Sequence, residues 1–283
     1  MNLIIDNILS GLIYLLSTFL MFFIGKWVYQ LFHKNIDIKS ELVHKDNLAF
    51  AIAHTGYFVG LLLAIGSALI GPSNGLVDDL IDLYMYGFLA ILLLNVSIYI
   101  NSKVILSKFS VYDEIVRDQN AGTGAIEAAN AIATGLILMG AVSGEGGNLL
   151  TAIAYWGIGQ ILLIITAKVY NYILPYDVHE HIEKDNVAVG IGFAGATIAI
   201  ANLLRAALSH DFEDWTDSMM LLGVEFAIGL LFLPLARYAT DKILLPGRKL
   251  TDELINQDKP NIGAGILEAF AYIGGSVLIG WCI

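Results

Sequence analysis

Apolar residues in this chain fall into eight runs of about 20 residues or more, roughly 9–32, 47–71, 80–102, 120–143, 148–173, 186–208, 217–240 and 261–283, each long enough to cross the ~30 Å hydrocarbon core of a bilayer. No soluble domain tolerates that pattern. The expected fold is therefore an all-α polytopic membrane protein with eight transmembrane helices, in contact with lipid. The first run lacks a basic leader and a small-residue cleavage site, and its apolar stretch is too long for a signal peptide. It reads as a retained first helix.

Charge fixes the expected orientation. Lys34, Lys39 and Lys45 follow the first run, Lys103, Lys108 and Arg117 the third, Lys184 the fifth, and Arg237, Lys242, Arg248, Lys249 and Lys259 the seventh. The alternate loops "GPSNGLVDDL", "SGEGGN" and "SHDFEDWTD" hold no Lys or Arg; Arg205, near a helix end, is the exception. The positive-inside rule makes the basic loops cytoplasmic and sends both termini outward. The net charge of −11 then comes largely from outer acids (Asp6, Asp78, Asp79, Glu145, Asp211, Glu213, Asp214, Asp217), which either are ordinary solvated loop residues or draw cations to an outer mouth. The one cysteine, Cys282, excludes an intrachain disulfide.

Each even-numbered run opens on an asparagine: "DNLAFAIAHTGYF" at Asn47, "QNAGTGAIEAANA" at Asn120, "DNVAVGIGFAGAT" at Asn186 and "PNIGAGILEAFAY" at Asn261. Asparagine is a good N-cap, and Asp46, Asp118, Asp185 and Asp258 nearby suit the positive end of a helix dipole. Small residues follow each one, and pairs such as Gly56/Gly60 and Gly195/Ala199 have the spacing that lets membrane helices approach closely. The even helices are thus expected inside, with the bulkier odd ones against lipid. "VHKDN" pairs with "IEKDN", and "YDEIVRDQN" with "TDELINQDKPN". The expectation is a tandem duplication of a four-helix unit, 1–143 and 144–283, each unit made of two parallel hairpins.

These openings, with "EAANAIATG", resemble the YjfL-like bacterial inner-membrane proteins, the family of domain of unknown function 350. The resemblance covers nearly the whole chain as two copies. It implies the bacterial inner membrane, no known activity, no site residues, and stress-envelope or flotillin-like partners for some relatives. Phe193 stands where the first copy has His54, which departs from full symmetry.

The residues seven places beyond the asparagines are His54, Glu127, Phe193 and Glu268. Seven residues rise about 10 Å, so the four share one depth, and an inner layer would converge them on a central axis. Intramembrane acids are costly and usually mark ion or proton paths. A carboxylate pair would compete for a proton, and His54 would modulate its charge, although alone it reads as a packed core histidine. Thr123, Glu127, Asn130 and Thr134 form one helical stripe; Glu268, Tyr272 and Ser276 form a shorter one. Asn130 and Tyr272 would orient the acids. The competing reading has each glutamate protonated and bonded to backbone, serving packing alone.

Among weaker positions, Glu225 could line an outer vestibule or pair with Arg205, while Asn95 and Gln160 would bond helix to helix. "DVHEH", with His179 and His181, lacks a third ligand and reads as a solvated loop rather than a metal site. No Walker, Gly-x-Ser-x-Gly or Cys-x-x-Cys motif occurs, and no basic stripe suits nucleic acid. The expected function is ion transport: a channel or carrier for protons or monovalent cations, with no cofactor, metal or enzymatic activity. The alternative is a non-transporting scaffold for membrane or flotillin-like proteins. In either case a homo-oligomer or a membrane-protein partner is expected.

Overall fold

The computed structural model describes residues 2–70 and 73–282, with side chains from Asn7 onward. The side chain of Asp6, the Gly71–Pro72 pair of the first acidic loop and Ile283 of the last run lie outside what is described. All regular structure among the described residues is helical. Among the described residues eight helices are long and apolar enough to span a membrane: α1 (Asn2–Phe32), α2 (Leu48–Gly66), α3 (Leu76–Val104), α4 (Ala121–Ser143), α5 (Leu149–Ile173), α6 (Val187–Leu208), α7 (Trp215–Ala239) and α8 (Ile262–Cys282).

The even helices start in one repeated way. The carboxamide oxygen of Asn47 accepts from Phe50 N (3.0 Å), that of Asn120 from Gly122 N and Thr123 N (3.0 and 3.1 Å), that of Asn186 from Val189 N (3.1 Å), and that of Asn261 from Ala264 N (3.2 Å). Each bond satisfies a donor that the helix start leaves open. Before three of these caps the backbone enters the left-handed region, at Asp46 (φ 50°), Gln119 (φ 56°) and Asp185 (φ 59°). Aspartate tolerates that region better than most residues. The fourth copy has Pro260 there, whose ring forbids positive φ, and its loop is correspondingly built differently. The basic loops hold compact turns, not open coil: Lys45 N bonds Ser40 O and Asp118 N bonds Asp113 O, both at 3.0 Å across five residues, the wide π-helical spacing.

Glycine sets the packing. A methyl added at Gly124 would lie 2.4 Å from the carbonyl oxygen of Ala49, one at Gly190 would lie 2.6 Å from Cα of Gly122, and one at Gly265 would lie 2.4 Å from the carbonyl oxygen of Ala188. Lower down, Gly56 meets Ala128 and Gly195 meets Ala269 in the same backbone-to-backbone way. Each even helix therefore presents one face to its predecessor and the opposite face to its successor. The result corrects the expectation of convergence on an axis. The even helices form a row, α2–α4–α6–α8, with α4 and α6 in its middle. Burial follows: in their most apolar stretches α4 and α6 are 67% and 78% buried, against 50% for α2 and 33% for α8.

The odd helices flank the row. α1 packs on α2 and α3, α5 on α4 and α6, and α7 on α6 and α8. Their outer faces expose Leu16, Phe23 and Trp27 of α1 and Leu231 and Leu235 of α7, a surface suited to lipid tails.

Candidate functional site

The row decides which groups can meet. Glu127 of α4 and Glu268 of α8 are both buried (7% and 0% exposed), but α6 stands between their helices. The expected carboxylate–carboxylate–imidazole cluster does not form. Equal depth along each helix carries no information about which neighbour a side chain faces.

Glu127 faces α1, α2 and α3. It lines a cavity of about 290 Å³ together with Tyr29, His33, Phe50, Tyr57, Ser102, Lys103 and the loop from Phe109 to Tyr112. Its Oε1 has no hydrogen-bond partner among the described residues and is closed off by protein, which leaves Oε2 as the oxygen that borders the cavity. One part of the wall is aromatic: the ring centroids of Tyr29 and Tyr57 are 4.5 Å apart, and Tyr29 stacks on His33 at 4.0 Å. The Tyr57 hydroxyl is already committed, donating to Gly25 O (3.0 Å) and accepting from Asn95 Nδ2 (3.1 Å). Burial holds the imidazole of His33, just beyond the end of α1, below its usual range, so it is neutral at pH 7. His54 packs between the rings of Tyr29, Phe50 and Phe58 (centroids 4.8, 5.2 and 4.3 Å) and is not part of the cavity wall.

Glu268 is sealed. Its Oε1 accepts from Arg237 of α7, from the Tyr272 hydroxyl (3.0 Å) and, at 3.5 Å, from the Tyr170 hydroxyl. Its Oε2 presses on α6, where a methyl at Gly192 would stand 2.4 Å away. Arg237 also bonds Thr251 Oγ1 (3.1 Å) and lies 5.7 Å from the Tyr176 ring centroid. The sequence places Arg237 among the loop charges; in the structure it is a half-buried partner of Glu268 inside the bundle. The signal available was its place in "FLPLARYA", an arginine still within an apolar run.

The remaining stripe residues are buried on α4. Thr134 accepts from Gln160 Nε2 (3.4 Å), whereas Thr123 Oγ1 and both Asn130 side-chain atoms have no partner among the described residues. Ser276 of α8 accepts from Asn202 Nδ2 (3.3 Å). Arg205 turns to Asn202 Oδ1 (3.3 Å) rather than to Glu225, which is buried. "DVHEH" is not an open loop. Residues Val178–Glu183 form a short helix capped by Asp177, and His179 Nε2 bonds Ile105 O at 2.7 Å.

Three acids escaped the sequence reading. Glu41, Glu114 and Glu253 are buried in the basic loops and accept from the Nδ2 of Asn47, Asn120 and Asn261 at 2.9, 2.8 and 2.9 Å. The signal was a glutamate six residues ahead of the asparagine in "ELVHKDN" and "EIVRDQN". Burial pushes Glu114 above the usual carboxylate range, and its bond from Asn120 partly opposes this. The same amide groups clip each hairpin to the next: Asn47 Nδ2 donates to Ile115 O (2.8 Å), Asn120 to Ile182 O (2.7 Å) and Asn186 to Leu254 O (2.8 Å).

Eight membrane-length helices with a row of interlocked small-residue helices define a multi-pass α-helical membrane protein. The chain belongs to the family described as Domain of Unknown Function (DUF350), which it matches twice, over residues 2–142 and 146–283. It is also similar to a UPF0719 transmembrane protein of Aquifex aeolicus (strain VF5), with 25% identity over 203 residues, 70% of this chain and 73% of that one. No solved structure matches.

Proposed function

We propose that this protein binds a proton or monovalent cation at Glu127 from the side of the basic loops, and that it acts as a carrier. The observation behind this reading is the contrast between the two acids. Each acid leaves one buried oxygen unpartnered, but Glu127 borders a cavity and makes no ion pair among the described residues, while Glu268 is neutralised by Arg237 and closed in by two tyrosines. An intramembrane carboxylate is a functional group by default, and only one of the two is placed to exchange a ligand. Glu268 then holds its half shut. The tight joints between even helices favour a carrier over an open channel, since their backbones leave no room for a pore along the row.

The finer parts of the reading travel with it. The halves derive from duplication of a four-helix unit, the basic loops are cytoplasmic, the membrane is the bacterial inner membrane, and the chain performs no covalent chemistry. A second reading, a scaffold for other membrane proteins or for a second copy, draws on the rigidity of the same row.

The test is flux in proteoliposomes under separate proton and potassium gradients, comparing wild type with Glu127→Gln after both pass size exclusion as folded protein. Flux that the variant loses is the expected result. Absence of flux from wild type under both gradients, with the variant equally stable, overturns transport and favours the scaffold.

A further inference from the structure

Building on the reading of Glu127 as the ligand-exchanging group, we infer that the cavity beside it takes an organic ammonium ion rather than a bare alkali cation. Alkali and other hard cations need several oxygen ligands to replace their hydration shells. The cavity offers one carboxylate, Glu127, and otherwise neutral hydroxyls such as those of Ser102 and Ser110. The carbon surface of its wall comes from the aromatic residues Tyr29, Tyr57, Phe50 and Phe109 and from aliphatic ones such as Ile36 and Ile115, with Glu127 as the buried carboxylate. An ammonium ion carrying carbon substituents is matched to such a wall. Aromatic faces attract it through their quadrupoles, its carbon surface loses little on leaving water, and one carboxylate balances its charge. The volume of about 290 Å³ admits a small amine and is at the lower limit of small-molecule pockets. The lone cation on the wall, Lys103, is exposed, where water and salt screen it.

The carboxylate of Glu127 carries the argument beyond shape: among the described residues neither oxygen accepts a hydrogen bond, Oε1 is enclosed by protein, and Oε2 is the oxygen left to border the cavity. A buried acceptor without a donor costs free energy, and an N–H donor from an ammonium group removes that cost. Tyr57 cannot supply it, since its hydroxyl donates to Gly25 O.

The ammonium can come from a free amine or from an ethanolamine lipid headgroup, and calorimetry separates these. Phenylethylammonium chloride is titrated into purified protein in nanodiscs, with sodium chloride at equal ionic strength as the reference. One nanodisc set contains phosphatidylethanolamine and phosphatidylglycerol, the other phosphatidylglycerol alone. Saturable binding in wild type that Glu127→Gln abolishes and Glu127→Asp retains in weakened form is the expected result. Tyr29→Leu should weaken it roughly 2- to 30-fold, the range of a cation–aromatic contact. Weaker binding in the ethanolamine discs assigns the site to the headgroup; equal binding assigns it to a free amine. No saturable binding in either set, or equal binding by folded Glu127→Gln, overturns the inference. If Glu127-dependent proton or potassium flux persists in that case, the carrier reading survives and only the ligand class falls. If amine binds at Glu127 and flux is absent, the reverse holds.

Discussion

At the residue scale, the two glutamates show how one side chain takes opposite roles in one fold. Glu268 and Arg237 form an ion pair almost free of solvent, with Tyr272 and Tyr170 also bonding Oε1 and Oε2 left without a donor among the described residues. Removing one member of such a pair strands the other charge, which typically costs about 3–5 kcal/mol, while removing both together costs much less. Arg237→Gln should therefore unfold well below wild type in a detergent thermal melt, and Arg237→Gln/Glu268→Gln should recover most of the loss. A double variant no more stable than the single one would show that the pair contributes through packing, not charge. Glu127, with no cationic partner of this kind, should tolerate Gln with little change in melting temperature. The residue-level chemistry was half legible. Intramembrane acids announce themselves in an apolar run, as Glu127 and Glu268 do. The partner of Glu268 did not, because the arginine sits 31 residues away on another helix and looked like one more positive loop charge.

At the scale of the element, most of what the sequence contains is local and so could be read. A cap needs only Asn and the next three residues, which is why Asn47, Asn120, Asn186 and Asn261 mark the helix starts. The left-handed residue ahead of three caps and the buried Glu41, Glu114 and Glu253 needed the loop geometry as well, which no periodicity supplies. Glycine positions carry their meaning only in pairs. Gly124, Gly190 and Gly265 each sit four residues beyond a capping asparagine and each meets the backbone of the preceding even helix. Gly223 of α7, by contrast, has open space where a Cβ would go. Gly190→Val should prevent the row from closing, seen as loss of the monodisperse folded peak in size exclusion. Gly223→Ala should fold normally and gain up to about 1 kcal/mol, because alanine is the better helix former. Equal behaviour of the two variants would mean that the interlocked glycines are not what holds α4 to α6.

On the scale of the whole molecule, the row raises the question of what ends it. Sequence similarity among hairpins shows that they repeat; it does not give the rotation from one to the next, so ring and row could not be told apart before the structure. A contact whose two sides differ is heterologous and propagates unless something stops it. Inside the chain the side facing the predecessor carries glycine four residues and alanine eight residues beyond the asparagine: Gly124 and Ala128, Gly190 and Ala194, Gly265 and Ala269. On α2 the same two positions are Ala51 and Thr55, and they line an open groove with Ile52 and Val59. On the opposite side, nine residues beyond the asparagine, α2, α4 and α6 have Gly56, Ala129 and Gly195, while α8 has the exposed Phe270. The methyl of Ala51 occupies the space that each internal joint keeps empty, and a phenyl ring at Phe270 holds off any helix seeking the same approach. Both outer faces are thus too bulky for the joint that the three inner ones make. Ala51→Gly/Thr55→Ala/Phe270→Gly should lift that block and let copies dock head to tail, α8 of one on α2 of the next. Light scattering after size exclusion would then give a larger mass than wild type, rising with concentration. An unchanged mass would mean that side-chain size does not limit the row.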